Sequence, residues 1–132
     1  MAKAVAGAFI AALIMKFFLF DFMIAEGSSM SPAIKPGTVL VVNRLIYGFR
    51  LPWSEDYLLR WSFPKPGDVV VFYTPQGMTA VKRCGEVLET GEFIALGDNS
   101  LQSFDSRSYG PVRSDNIIGK VLGINVRKQK AP

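Results

Sequence analysis

The sequence predicts a mainly β fold: one small antiparallel β domain behind a single N-terminal transmembrane helix. Three observations carry this. Apolar residues make up 49% of the 132, with mean hydropathy +0.24, and they are concentrated at the N-terminus. Downstream, short β-branched runs recur. Between them stand Pro-Gly and Gly-Asp pairs of the kind that turn a chain between strands.

The helix comes first. Ala4–Met15 holds twelve residues without charge or proline, and Phe17–Phe20 and Phe22–Ala25 extend the run past Lys16 and Asp21. A bilayer core asks for about 20 apolar residues. A helix from about Ala4 to Phe20 meets this if Lys3 and Lys16 reach opposite interfaces and Phe17, Phe18 and Phe20 sit among the headgroups. A cleaved secretory signal peptide is the competing reading. It needs a small-residue cleavage site, and here Ala25 is followed by Glu26, which favours a retained anchor. A buried core helix is disfavoured because so small a domain has little core to enclose it. Charge leaves the orientation open: Lys3 and the amino terminus argue for N-inside, Lys16 and the basic remainder against it. The chain therefore divides into residues 1–25, anchor and connecting segment, and 26–132, the β domain.

Within that domain, Val39–Val42, Asp68–Phe72, Thr79–Lys82, Glu92–Leu96 and Ile117–Val126 predict strands. Pro36-Gly37, Pro66-Gly67, Gly77, Gly91, Gly97-Asp98 and Gly110-Pro111 separate them. Ser54–Trp61 stands apart. Ser54 suits a helix cap, with Glu55 and Asp56 in the first turn and Trp53, Tyr57 and Trp61 on one face.

Composition narrows the chemistry. There are no histidines, which removes Ser-His-Asp and Cys-His catalysis and every metal site that needs imidazole. Cys84 is the single cysteine, so neither an internal disulfide nor a thiolate cage is available. Fifteen Lys+Arg against eleven Asp+Glu leave +4, too mild for a nucleic-acid binder. Catalysis would have to rest on hydroxyls, carboxylates, lysine or arginine.

Three clusters qualify. In Gly27-Ser28-Ser29-Met30-Ser31-Pro32 the glycine lets the backbone turn sharply and bring N–H groups close to an attacked carbonyl. Taken alone, Gly-Ser-Ser is an ordinary loop tripeptide. In Thr79–Cys84, alternation puts Lys82 on one face with Ala80 and Cys84. An ammonium desolvated among such neighbours loses proton affinity, as a lysine base requires, and adjacent Arg83 would push the same way. A lysine on a solvated strand face is the alternative. The third cluster, Gly97–Gly110, is a dense polar loop between apolar strands. Its composition suits a solvated turn, yet it offers a hydroxyl to orient a lysine and an Asp105/Arg107 pair to brace the loop.

Together these clusters resemble the type I signal peptidases. Gly27–Pro32 is similar to the family's nucleophile motif, Gly67–Phe72 to a structural strand motif, and Lys82-Arg83 to the lysine motif. Gly97-Asp98-Asn99-Ser100, Ser103, Asp105-Ser106-Arg107 and Gly110 form the most specific match. Asn43–Pro52 is similar to the segment that bacterial members carry between the first two motifs.

The resemblance implies a small signal-peptidase-like β domain with Ser29 as nucleophile and Lys82 as general base. Ser103 would hydrogen-bond the lysine amine, and the Ser29 N–H would serve the oxyanion hole. Some members carry a serine two residues before the nucleophile as a second donor; here that position is Gly27. Asp105 and Arg107 would form a structural ion pair, Asp98 would support the loop, and Met30 and Pro32 would line the substrate side. The family's Gly-Leu-Pro-Gly-Asp-like turn after Lys-Arg is replaced by Cys84–Glu89. Only fifteen residues separate Lys82 from Asp98, so the accessory subdomain of larger relatives would be absent or reduced to a hairpin.

The implied partners are preproteins with N-terminal signal peptides and membrane lipid, with no nucleic acid, metal or cofactor. The implied location is the cytoplasmic (inner) membrane, single-pass, with the catalytic domain on the extracytoplasmic side. Two rival readings remain. A self-cleaving SOS-repressor-like peptidase shares the Gly-x-Ser-Met and lysine arrangement but needs a DNA-binding domain where the apolar segment stands. A membrane-tethered non-catalytic β module explains the anchor and strands but not the ordered Ser29, Lys82 and Ser103.

Overall fold

The computed structural model describes residues 1–51, 54 and 56–122; the side chains of residues 17 and 18 lie outside the description. The N-terminal run forms α1, Ala2–Leu19. Its helix propensity is high, and Lys16 in the last turn complements the helix dipole. Val5, Phe9, Ile10, Leu13, Ile14 and Met15 all remain more than half exposed, so these side chains are left uncovered among the described residues. Among the described residues no helix is long and apolar enough to cross a membrane.

The chain leaves α1 directly into strand β1, Phe20–Ile24. The connecting segment is therefore itself part of the sheet, and Phe20 belongs to a strand. β1 pairs antiparallel with β2 (Val39–Asn43) over its whole length, from Phe20 opposite Asn43 to Ile24 opposite Val39. Alternation turns Met23 inward and leaves Phe22 and Ile24 exposed.

β5 (Val69–Tyr73), β6 (Thr79–Val87), β7 (Glu92–Leu96), β8 (Val112–Arg113) and β9 (Ile117–Leu122) complete a seven-stranded antiparallel sheet, in the order β1-β2-β9-β5-β6-β7-β8. β5 is central and buried on both faces, which is why it reads Val-Val-Val-Phe without alternation. Val70 and Phe72 face one cluster with Tyr47, Cys84, Phe93, Ala95, Val112 and Ile117. Val69 and Val71 face the other, with Met30, Ile34, Leu40, Val42 and Val121. The expected strands therefore form. The last is described to Leu122, and 123–126 lie outside the described residues.

A two-stranded ribbon, β3 (Gly48–Phe49) with β4 (Leu59–Arg60), stands beside the sheet. Its β4 replaces the helix expected over Ser54–Trp61. Tyr57 and Trp61 do not share one packed environment. The Tyr57 hydroxyl donates to the Ile117 carbonyl at 2.7 Å, under the Arg50 and Arg60 guanidiniums, while Trp61 is exposed. Trp53 and Glu55 lie outside the described residues. Between Lys82 and Asp98 the chain makes only the β6–β7 hairpin, closed by Gly91 N–H donating to the Leu88 carbonyl at 3.0 Å.

Candidate active site

Three segments distant in sequence meet at one end of the sheet. After β1, the chain turns at Gly27, whose φ of +74° lies in the left-handed region that glycine tolerates. One helical turn follows, Ile34 N–H to the Met30 carbonyl at 2.8 Å. That turn sends Met30 and Ile34 together into the core and puts Pro32 outward between them. Met30 lines the cleft beside Ser29. Pro32 does not, because the helical turn carries it to the exposed side.

Lys82 reaches the nucleophile candidate from β6. Its Nζ donates to Ser29 Oγ at 2.8 Å, and the lysine is only 7% exposed. Its neighbours at two residues either side, Ala80 and Cys84, pack into the first core cluster, in accord with strand alternation. Burial lowers the Lys82 amine below its ordinary range; the Asp105 carboxylate opposes this and the Arg107 guanidinium adds to it. Arg83 supplies none of the shift. It points to the other face, where Nε and Nη2 hold Asp98 at 2.9 and 3.0 Å, and Nη1 donates to the Gly67 carbonyl at 2.8 Å. The expected like-charge pressure from Arg83 is thus replaced by burial.

The polar loop supplies the rest. Asp105 is fully buried and accepts from Ser103 Oγ at 2.7 Å, Gly97 N–H at 2.8 Å, Arg107 N–H at 3.0 Å, and the Arg107 Nε and Nη2. Desolvation pulls its carboxyl upward, but these donors outweigh it, Arg107 first, and hold it well below the usual carboxylate range. Among the described residues Ser103 makes no hydrogen bond to Lys82. Its hydroxyl is drawn to the stronger acceptor, the ionised Asp105. Ser103 still sits at the centre, packed on Gly97 so closely that an added Cβ there would lie 2.0 Å from Ser103 Oγ and 2.9 Å from the Ser29 carbonyl.

Two residues given no role from sequence hold the nucleophile turn. Asn99 N–H donates to the Ser29 carbonyl at 2.7 Å and Asn99 Nδ2 to the Ser28 carbonyl at 3.1 Å. Gln102 Oε1 accepts from Ser28 Oγ. Asp98 N–H also contacts Met30 Sδ at 3.4 Å. Asn99 stood inside a conspicuous motif; nothing about Gln102 marked it.

Ser29 and Lys82 open on a cleft of about 360 Å³ lined by Met23–Gly27, Ser29, Met30, Ile34 and Thr79–Lys82. β1 is an edge strand, and β6 pairs with β7 only from Arg83 onward, so both walls are strand segments with a free side. Among the described residues no group of three His, Cys, Asp or Glu side chains is placed to hold a metal ion. The arrangement combines a hydroxyl and a buried amine within hydrogen-bond distance beside a tight backbone turn, which is equipment suited to acyl transfer.

The chain is similar in sequence to known proteins. The family model "Signal peptidase, peptidase S26" matches residues 1–87 and 78–125. Signal peptidase I of Bacillus caldolyticus is 29% identical over 146 residues, covering 81% of this chain and 80% of that protein. Signal peptidase I of Pseudomonas fluorescens is 36% identical over 118 residues, covering 87% of this chain and 37% of its own length. The Helicobacter pylori (strain J99) signal peptidase I is 28% identical over 149 residues, 96% of this chain and 51% of its own. With the match running from α1 through β9, the chain belongs to the signal peptidase family, peptidase S26.

Proposed function

We propose that Ser29 and Lys82 form the catalytic dyad of this enzyme. The chain is a serine endopeptidase of the signal peptidase I type, acting in the removal of signal peptides. The observation that carries the dyad is the 2.8 Å approach of Lys82 Nζ to Ser29 Oγ inside a buried pocket. That distance is a hydrogen bond whichever atom holds the proton. With the amine neutral, Lys82 accepts the hydroxyl proton as Ser29 Oγ attacks the carbonyl of the signal peptide's last residue. The protonated lysine then gives the proton to the leaving amine, releasing the mature chain and leaving an ester on Ser29. Lys82, neutral again, takes a proton from water as the water oxygen attacks the ester carbonyl, then returns that proton to Ser29 Oγ as the signal peptide leaves with a new carboxyl end. The Ser29 N–H supports the oxyanion.

The substrate enters as an extended strand between β1 and the start of β6, hydrogen-bonded through their free sides. Met23, Ala25, Met30, Ile34 and Val81 make the walls apolar and close, which suits small side chains before the cut. Asp105 and Arg107 brace the polar loop, Ser103 rests between that pair and the dyad, and Asp98 ties the loop to Arg83.

The anchor reading is part of this proposal. Eighteen residues at 1.5 Å each give α1 a rise of about 27 Å against about 30 Å of hydrocarbon. From residue 2 to 16 its side chains are exposed, and exposed Phe22, Ile24 and Val39 continue the apolar surface onto the first strands. Residues 1–25 then tether the catalytic domain, residues 26–132, at the extracytoplasmic side of the inner membrane. Ser29, five residues after β1, works at the level where preproteins present their cleavage sites.

Purified in detergent, the enzyme is expected to cut a preprotein after an Ala-x-Ala sequence. Ser29→Ala and Lys82→Met should each abolish cutting with the fold intact by circular dichroism. Near-normal turnover in either variant would show the dyad assignment to be wrong.

A further inference from the structure

We propose that Gln102 is a positioning residue for the nucleophile, acting through the hydroxyl of Ser28; this rests on Ser29 being that nucleophile. Ser28 immediately precedes Ser29, and its Oγ donates to Gln102 Oε1 across 74 positions of sequence. The bond closes a small frame. Gln102 N–H donates to the Asn99 carbonyl at 3.0 Å, and Asn99 in turn holds the carbonyls of Ser28 and Ser29.

The peptide between Ser28 and Ser29 is the part that matters. It is planar and trans, so its C=O and N–H point in opposite directions. Asn99 Nδ2, at 3.1 Å from the Ser28 carbonyl, therefore aims the Ser29 N–H away from the loop. The same oxygen also accepts from Ser31 N–H at 3.1 Å within the turn, so both bonds meet at one atom and leave the tilt of the plane about it open. The preceding residue offers no restraint, since Gly27 lies at φ +74° with nothing within 4 Å of where a side chain would stand. The Ser28–Gln102 bond supplies the second point of attachment. It sets the tilt of the peptide plane, and with it the direction of both the Ser29 N–H and the Ser29 Oγ facing Lys82. It also commits the Ser28 hydroxyl, which is thereby a tether and not an oxyanion donor.

Gln102 is exposed, so its bond contributes little to stability and its loss should be read in turnover. The test is steady-state cleavage of a preprotein by the full-length enzyme in detergent, at a pH above the acid limb. Gln102→Ala and Ser28→Ala should each lower kcat by about tenfold or more with KM within about twofold. The double variant should fall within about twofold of the weaker single, because both remove one bond. Gln102→Glu, whose carboxylate accepts the same proton, should restore kcat to within about threefold of the parent. The thermal midpoint and the position of the acid limb should stay unchanged in Gln102→Ala.

Normal kcat in Gln102→Ala, losses that multiply in the double variant, a change in KM alone, or no rescue by glutamate would each overturn the proposal. Ser29→Ala and Lys82→Met in the same assay separate the two readings. If they still turn over, the dyad fails. If they are dead while Gln102→Ala is normal, only the positioning role fails.

Discussion

Replacing Asp105 by asparagine should weaken the fold and move the pH profile in a known direction. The carboxylate is fully buried and its two oxygens accept five hydrogen bonds: three on Oδ2, from Gly97 N–H, Ser103 Oγ and Arg107 Nη2, and two on Oδ1, from Arg107 N–H and Nε. An amide offers a single acceptor oxygen. Its NH₂ must then face either three donors or two, and the lesser conflict places it against Arg107. Breaking a buried ion pair costs about 3–5 kcal/mol. Arg107 is 45% exposed on its side chain and recovers water when freed, so the expected loss is about 2–4 kcal/mol. In a domain of this size that is about 10–20 °C in Tm. Urea unfolding followed by tryptophan fluorescence would register it as a lower midpoint at unchanged slope.

The pH dependence is the sharper part. Asp105 favours the charged form of Lys82, so removing its charge lets the amine fall further below its ordinary range. The acid limb of the activity profile should therefore move to lower pH. The parent should also carry stability from Asp105 that is complete above the ordinary carboxylate pKa of 3.8 and is lost only in strong acid, as pH falls through the depressed folded value. The asparagine variant should lack that slope. A stability change under about 1 kcal/mol, or an acid limb displaced upward, would refute this account of the loop.

Two further outcomes follow. Arg107→Met removes the cation that balances Asp105, so the carboxylate acts on Lys82 unopposed and the acid limb should move to higher pH, opposite to Asp105→Asn; a shift in the same direction would exclude electrostatic control. Gly97→Ala would place a methyl 2.0 Å from Ser103 Oγ and 2.9 Å from the Ser29 carbonyl, driving the loop off the nucleophile turn; a loss of about a hundredfold in kcat is expected, and unchanged turnover would show that the loop yields.

Much of this site is legible from residue order, and the parts that are not share a cause. Val69–Phe72, Thr79–Cys84 and Glu92–Leu96 announce strands because burial and β-branching are local properties of the chain. Lys82 could be placed with Ala80 and Cys84 by alternation alone. Phe20–Ile24 was hidden because its hydrophobicity merges with the helix before it; only pairing with Val39–Asn43 makes it a strand. β4 was hidden because Leu59–Arg60 is too short to show a period, and it is set by β3 and by the Tyr57 hydroxyl on Ile117. The partner of a charge is equally non-local. Arg83 stands next to Lys82 in sequence but spends its charge on Asp98, on the opposite face.

The same distinction explains why a polar loop can serve a buried lysine. A carboxylate beside a base that must be neutral works against catalysis, since it stabilises the ammonium. Asp105 nonetheless has to be there, because it is the acceptor that holds Gly97, Ser103 and Arg107 in one buried turn. Arg107 resolves the conflict. It neutralises Asp105 from the solvent side, and its own field lowers the Lys82 amine, leaving burial as the dominant influence. The pair's opposed fields at Lys82 partly offset each other, while within the loop the two residues bind strongly. In a chain without histidine, burial thus lowers the proton affinity of an amine that stands 2.8 Å from a serine hydroxyl.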